Sequence, residues 1–289
     1  MTRLALLLPL LAVGCDGSLA VNIPSPAEPV PLPANDRFDP AACGTVAGRV
    51  RWVGELPDVS PLPISRFLGT MTQKEIVPHP NAPRFSADGG VRTAVVFLRG
   101  VDPRRAKSQP ATNVRVDVES QGLVVVQDGG RQRVGFVPVG SEVAFANGID
   151  AISGVRARGA SFFTLMLPAA NDTTRRVLSQ PGRVELTSAS GQFWAAADIF
   201  ACEHPYFART DDAGRFALAD VPDGEYELVC WHPNWHARGH ERDPETGQMV
   251  RMSYLPPVEK RSTVRVVAGK TTTADFTLQP VDLVPSRKP

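Results

Sequence analysis

Residues 206–231 read YFARTDDAGRFALADVPDGEYELVCW, and turn chemistry, strand alternation and aromatic placement agree along this stretch. Asp211, Asp212 and Gly214 make a tight turn, because carboxylates hydrogen-bond nearby backbone amides and glycine accepts positive φ. Phe216 and Leu218 then alternate with Arg215 and Ala217, the period-two pattern of a half-buried strand. Pro222, Asp223 and Gly224 form a second turn. It feeds Tyr226, Leu228 and Cys230 on one face against Glu225, Glu227 and Val229 on the other. Two alternating strands joined by so short a turn are expected to pair as a β-hairpin.

The spacing T-D-x-x-G-x-F-x-L-x-x-V-P-x-G-x-Y-x-L, carried by Thr210, Asp211, Gly214, Phe216, Leu218, Val221, Pro222, Gly224, Tyr226 and Leu228, resembles the carboxypeptidase regulatory-like domain. That family is a small transthyretin-like β-sandwich, and the resemblance implies such a unit over 204–280. It implies a fold and no activity, since such domains commonly serve as structural or binding modules.

Downstream, Val264 and Val266 and then Ala274, Phe276 and Leu278 give closing strands around Ala268-Gly269-Lys270, before a tail at 281–289. Between them, residues 241–252 (ERDPETGQMVRM) read as a polar loop with turns at Asp243–Gly247. Upstream, CGTVAGRVRWVGELP places Val46, Gly48, Val50 and Trp52 in alternation, so 43–56 is a first strand. Regulatory-like domains often begin with such a strand, which would join the sheet formed by 206–278. Residues 57–91 hold six prolines up to position 90 and little periodicity, and are expected to be an irregular surface loop with His79 in it.

From 92 to 203 turns recur between strands expected at 113–119, 122–127, 132–137, 142–147, 162–167, 183–188 and 193–201. Ala94–Gly100 (AVVFLRG), Val134–Asn147 (VGFVPVGSEVAFAN) and Pro181–Thr187 (PGRVELT) resemble a cupredoxin-like domain. The expected fold is therefore all-β, with two Greek-key-type β-sandwich units, the cupredoxin-like one either inserted in the regulatory-like one or fused beside it. The resemblance also implies where a type 1 copper site would lie, with the soft thiolate and imidazole ligands such copper needs. Ser153 stands where a first histidine would follow Asn147, and Ser188, Gly191 and Trp194 stand where cysteine, second histidine and methionine would follow Thr187. No histidine or cysteine occurs from Asn81 to Ala201, so the unit is expected to keep the scaffold without the metal, and no cofactor is implied.

The N-terminus MTRLALLLPLLAVGC reads as an export signal over 1–14, too short for a permanent membrane span. Ala12-Val13-Gly14-Cys15 resembles a lipobox, which implies lipidation of Cys15 and anchoring to the membrane on the periplasmic side of the cell envelope. Residues 15–42, rich in proline, then form a semi-extended tether. Removing 1–14 takes only Arg3 from 31 basic residues and leaves them balanced against 30 acidic ones, without the basic excess that nucleic-acid binding needs. In an oxidising compartment Cys43, Cys202 and Cys230 remain after lipidation, and Cys43 and Cys230 are expected to pair as a disulfide if the first strand joins the regulatory-like sheet.

Catalytic patterns are weak. Ser141, Ser153, Ser161 and Ser188 lack a G-x-S-x-G elbow, and Asp198, Glu203, Asp211 and Asp212 read as solvated turn carboxylates. The chain is expected to be a non-enzymatic binding or structural protein. The alternative is a carbohydrate- or metal-binding accessory module built on WHPNWHARGH, 231–240. There His232, His236 and His240 offer three imidazoles to a metal, and Trp231, Trp235, Trp194 and Tyr206 offer an aromatic platform for a glycan or an envelope protein partner, unless those aromatics close an interface between the two β units.

Overall fold

The computed structural model describes residues 37–68 and 71–283, without the side chains of 66–68 and 71. The export segment, Cys15, most of the tether and the tail beyond 283 lie outside the described residues. After a 3-10 turn at Pro40–Ala42, capped by the Asp39 carboxylate, come β1 (Cys43–Trp52), β2 (Leu62–Leu68), β3 (Met71–Val77), β4 (Arg84–Phe85), β5 (Val91–Arg92) and β6 (Val95–Arg99). Ten strands follow as a block: β7 (Val114–Glu119), β8 (Gly122–Gln127), β9 (Gly130–Gln132), β10 (Val134–Pro138), β11 (Glu142–Asn147), β12 (Ser153–Gly159), β13 (Phe163–Leu167), β14 (Thr173–Val177), β15 (Gly182–Ser188) and β16 (Ala196–Cys202). The chain closes with β17 (Phe207–Arg209), β18 (Arg215–Pro222), β19 (Gly224–His232), β20 (Ala237–Arg242), β21 (Met249–Tyr254), β22 (Val258–Val266), β23 (Thr271–Thr273) and β24 (Phe276–Leu278).

Four sheets carry the fold, and three apolar layers lie between them. The first sheet has β1 at its centre, flanked by β18 on one side and β23 and β24 on the other; the second runs β17–β6–β19–β22. Val46, Val50, Phe216 and Leu218 of the first meet Val96, Leu98, Leu228 and Cys230 of the second in one core. The third sheet, β10–β16–β15–β12–β13, and the fourth, β14–β11–β7–β8–β9, enclose a separate core around Val116, Phe145, Leu186 and Ile199. The middle layer joins the two sandwiches. Val95, Phe97, Val229 and Trp231 project from the second sheet onto Phe200 and Cys202 of the third.

This stacking has a direct sequence cause. Side chains alternate across a strand, so a strand that is apolar at successive positions has something to cover on both faces. Val95-Val96-Phe97-Leu98 in β6 and Leu228-Val229-Cys230-Trp231 in β19 are such runs: even-numbered residues enter the first core and odd-numbered ones the middle layer. Aromatic packing completes that layer, with Phe97 stacked on Phe207 at 4.9 Å and Phe200 edge-on to Trp231 at 5.3 Å.

The strand order places the 114–202 block as an insertion between β6 and β17, two strands that pair with each other. β1 shares its sheet with β18, β23 and β24, as expected of a first strand belonging to the later unit. The boundary expected at 92 moves to about 113, because Val95–Arg99 pairs with β17 and β19 and not with the inserted strands.

Other expectations are corrected. β18 and β19 do not form a hairpin: β18 bonds to β1, whereas β19 bonds to β6 and β22. The chain arches across the core at Pro222–Gly224, so Phe216 and Leu218 face Tyr226 and Leu228 through side chains. Within 57–91, β2 pairs with β3 and β4 with β5; a two-stranded ribbon tolerates a proline such as Pro63, which sits opposite Ile76. Within 241–252 the flanks form a second ribbon, β20 with β21, around the expected turns at Asp243–Gly247, where the Asp243 carboxylate accepts from the Glu245 and Thr246 amides. The expected Cys43–Cys230 disulfide is absent, and Cys43, Cys202 and Cys230 are all buried free thiols. Cys43 sits opposite Pro222 beside the arch, while Cys230 lies six residues along β19 from Gly224. At a rise of about 3.3 Å per residue this puts them roughly 20 Å apart, far beyond disulfide reach.

Candidate functional site

The four aromatic residues proposed as a binding platform are buried, and they are divided among three apolar clusters. Tyr206 and Trp235 belong to the first core, Trp231 to the middle layer, and Trp194 to a small cluster with Ile64 and Val77. The Tyr206 hydroxyl donates to the Asp220 carbonyl at 2.7 Å and accepts from the Lys107 amide at 3.0 Å, leaving no polar tip for a ligand. Only Trp231 closes the contact between the sandwiches. Its indole N–H has no acceptor among the described residues, and the Arg183 guanidinium lies 5.1 Å from its ring.

The three late histidines are not brought together. His232 is 2% exposed at the end of β19, His236 is exposed in the following segment, and His240 is exposed on β20 opposite Met252. Among the described residues no group of three histidine, cysteine or acidic side chains is placed to hold a metal ion. The His232 Nδ1 lies 2.8 Å from the Pro233 carbonyl oxygen and therefore donates to it, and burial pushes its imidazole pKa down to about 4.

The positions implied for copper ligands lie at one end of the inserted sandwich. Ser153 is fully buried, and its hydroxyl has no partner among the described residues. The Ser188 hydroxyl accepts from the amides of Ser190 and Gln192 at 3.0 and 3.2 Å, folding the loop around Gly191. The Trp194 indole donates to the Ser120 carbonyl at 3.1 Å and packs on Ile64 and Val77. It thereby docks the β2–β3 ribbon on the sandwich end. This ribbon, the β20–β21 turn and loop 148–152 border a cleft of about 950 Å³.

A second cavity, of about 510 Å³, lies where the two sandwiches meet and is strongly cationic. Arg84, Arg92, Arg131, Arg133 and Arg209 line it, with His79 and His232. Its two acidic groups are already engaged: Asp212 by Arg92, and Asp198 by Arg183 at 2.7 Å. Arg131 pairs with Glu119. Arg133 and Arg209 instead donate to the carbonyls of Ala196 and Val134, and Arg209 lies over the Phe136 ring at 5.4 Å. Desolvation pulls the pKa of both guanidinium groups down to about 10. Burial, followed by the repulsion of Arg133, lowers His79 to about 4. Its Nδ1 accepts from the Asn81 amide at 3.2 Å, which leaves the proton on Nε2 as a donor.

This cavity was not foreseen from the sequence. Its arginines come from β4, β5, β9, the β9–β10 link and β17, and none stands in a basic run. Neither a protein-family model nor a curated protein matches the chain.

Proposed function

We propose that the chain is a non-enzymatic β-sandwich binding or structural protein of the cell envelope, carried on lipid at Cys15, in which the inserted sandwich is a cupredoxin-like unit that has lost its copper site. The observation that carries this reading is the chemistry at the sandwich end. Type 1 copper needs a thiolate and imidazoles converging on one point. Ser153, Ser188, Gly191 and Trp194 offer two hydroxyls, no side chain and an indole, of which the Ser188 hydroxyl is engaged by loop amides and the Trp194 indole by a carbonyl. The same geometry speaks against hydrolytic use of these serines, since Ser153 is sealed from solvent and Ser188 is held as a loop brace.

The glycan-platform alternative loses its support because Trp194, Tyr206, Trp231 and Trp235 present no shared exposed face. Titrating the purified chain with Cu(II) is the test. It should stay without the intense visible thiolate-to-copper absorption, and an intense band that survives Cys202→Ser would overturn the reading.

A further inference from the structure

Three of the five arginines in the cavity between the sandwiches make no ion pair among the described residues, although Asp198, already bonded to Arg183, attracts Arg133 and Asp128 attracts Arg209. Arg84 has no side-chain hydrogen bond or ion pair among the described residues, and it is close enough to Arg133 to oppose that group's charge. Arg133 and Arg209 each spend part of the guanidinium fork on one backbone carbonyl, and a carbonyl satisfies a donor without cancelling a charge. Like charges gathered in a partly desolvated space work against the fold, so an arrangement of this kind is incomplete on electrostatic grounds. The exposed Arg84 and Arg131 keep the cavity in reach of solvent, while Arg133 and Arg209 are half-buried.

From this geometry we infer that the cavity is a binding site for a small organic molecule carrying two or more oxyanion groups, carboxylate or phosphate. Guanidinium forks match the paired oxygens of both groups, and several forks from different strands select a ligand with more than one of them. The space suits a metabolite-sized molecule, since about 510 Å³ falls within the roughly 300–1,000 Å³ of such sites. The Phe136 face holds the Arg209 plane in advance, and the neutral His79 supplies a further donor without adding charge repulsion. The ligand would also bridge the two sandwiches, because Arg84 and Arg209 belong to the outer one and Arg133 to the insert.

The inference goes beyond the binding-protein reading and fails separately from it, since copper titration tests that reading and anion titration this one. Calorimetric titration of the full chain with citrate and with inorganic pyrophosphate, at low and high NaCl, distinguishes the two oxyanion chemistries. At least one should bind with one-to-one stoichiometry, weaken as salt rises and raise the thermal midpoint. Arg84→Glu touches no side-chain hydrogen bond of the fold and relieves the repulsion on Arg133, so it should hold or raise the ligand-free midpoint while cutting affinity about tenfold or more. Arg209→Gln should cut it as well. Absence of binding by either anion to the folded chain, or equal binding by wild type and Arg84→Glu, would overturn the proposal.

Discussion

Lowering the pH from 7.5 to 5 should destabilise the fold through its buried imidazoles. His204 and His232 are 7% and 2% exposed, and burial lowers each pKa to about 4. A depressed histidine pKa means that the fold prefers the neutral ring, so the unfolded chain takes up the proton first as pH falls. The contribution is complete above the unfolded value near 6.5, declines from there to about 4, and is constant below. At pH 5 the difference in proton uptake amounts to about 2 kcal/mol for each ring, a large share of the roughly 5–15 kcal/mol that holds a typical domain. His79, shifted the same way but only half-buried, adds less. Asp102, held down to about 2 by the Arg104 side chain, does not blur this window, because its contribution is lost only as pH falls below the ordinary carboxylate range. Urea unfolding at pH 7.5, 6 and 5 reads the effect as a falling midpoint, and His204→Gln with His232→Gln should flatten the slope. Equal midpoints across the window, or the same slope in the double variant, would refute the reasoning.

The unsatisfied indole in the middle layer predicts an asymmetry: Trp231→Ala should cost about 3–5 kcal/mol through the cavity it leaves, whereas Trp231→Phe should stay within about 1.5 kcal/mol, both read by denaturant melts. Gly48→Ala should cost about 3 kcal/mol or more, because its Cβ would lie 1.8 Å from the Ala274 carbonyl oxygen in the β23–β24 link, and a marked drop in thermal midpoint checks it. Cys43, Cys202 and Cys230 should react with a maleimide only after denaturation; peptide mapping that found rapid native labelling, or any disulfide among them, would contradict their burial as free thiols. Mass spectrometry of membrane-extracted protein should find acyl chains on Cys15, and an unmodified Cys15 would remove the anchor from the proposed function.

Strand existence was legible wherever alternation was strong. Val114–Glu119, Gly122–Gln127 and Glu142–Asn147 lie where period and turn residues place them. What alternation does not encode is the partner of a strand. Phe216, Leu218, Tyr226 and Leu228 bury the same faces in a hairpin as in an arch, and the choice is made by β1, β6 and β22, which take the backbone edges. Thr173–Val177 was missed because its side chains are polar and largely exposed, so pairing with β11 leaves no apolar period. The arginine cavity was invisible for a different reason. Charge balance along the chain looks even, and only the docking of the insert on the outer sandwich gathers Arg84, Arg133 and Arg209 into one cavity.

The central place of β1 in its sheet also sets how the molecule answers a mechanical load. Tension arriving from the N-terminal side enters at Cys43 and runs along a ten-residue strand bonded to β18 on one flank and to β23 and β24 on the other. Ladder hydrogen bonds lie across the strand axis, so an axial pull shears both ladders at once instead of unzipping them singly. Val46 and Val50, both sealed in the first core, must slide through it in the same event. A pull from the C-terminal side loads first β24 and then β23, each held to β1 by a ladder of only three residues. Resistance to force is therefore directional, and its stronger direction is the one from which a tether would pull.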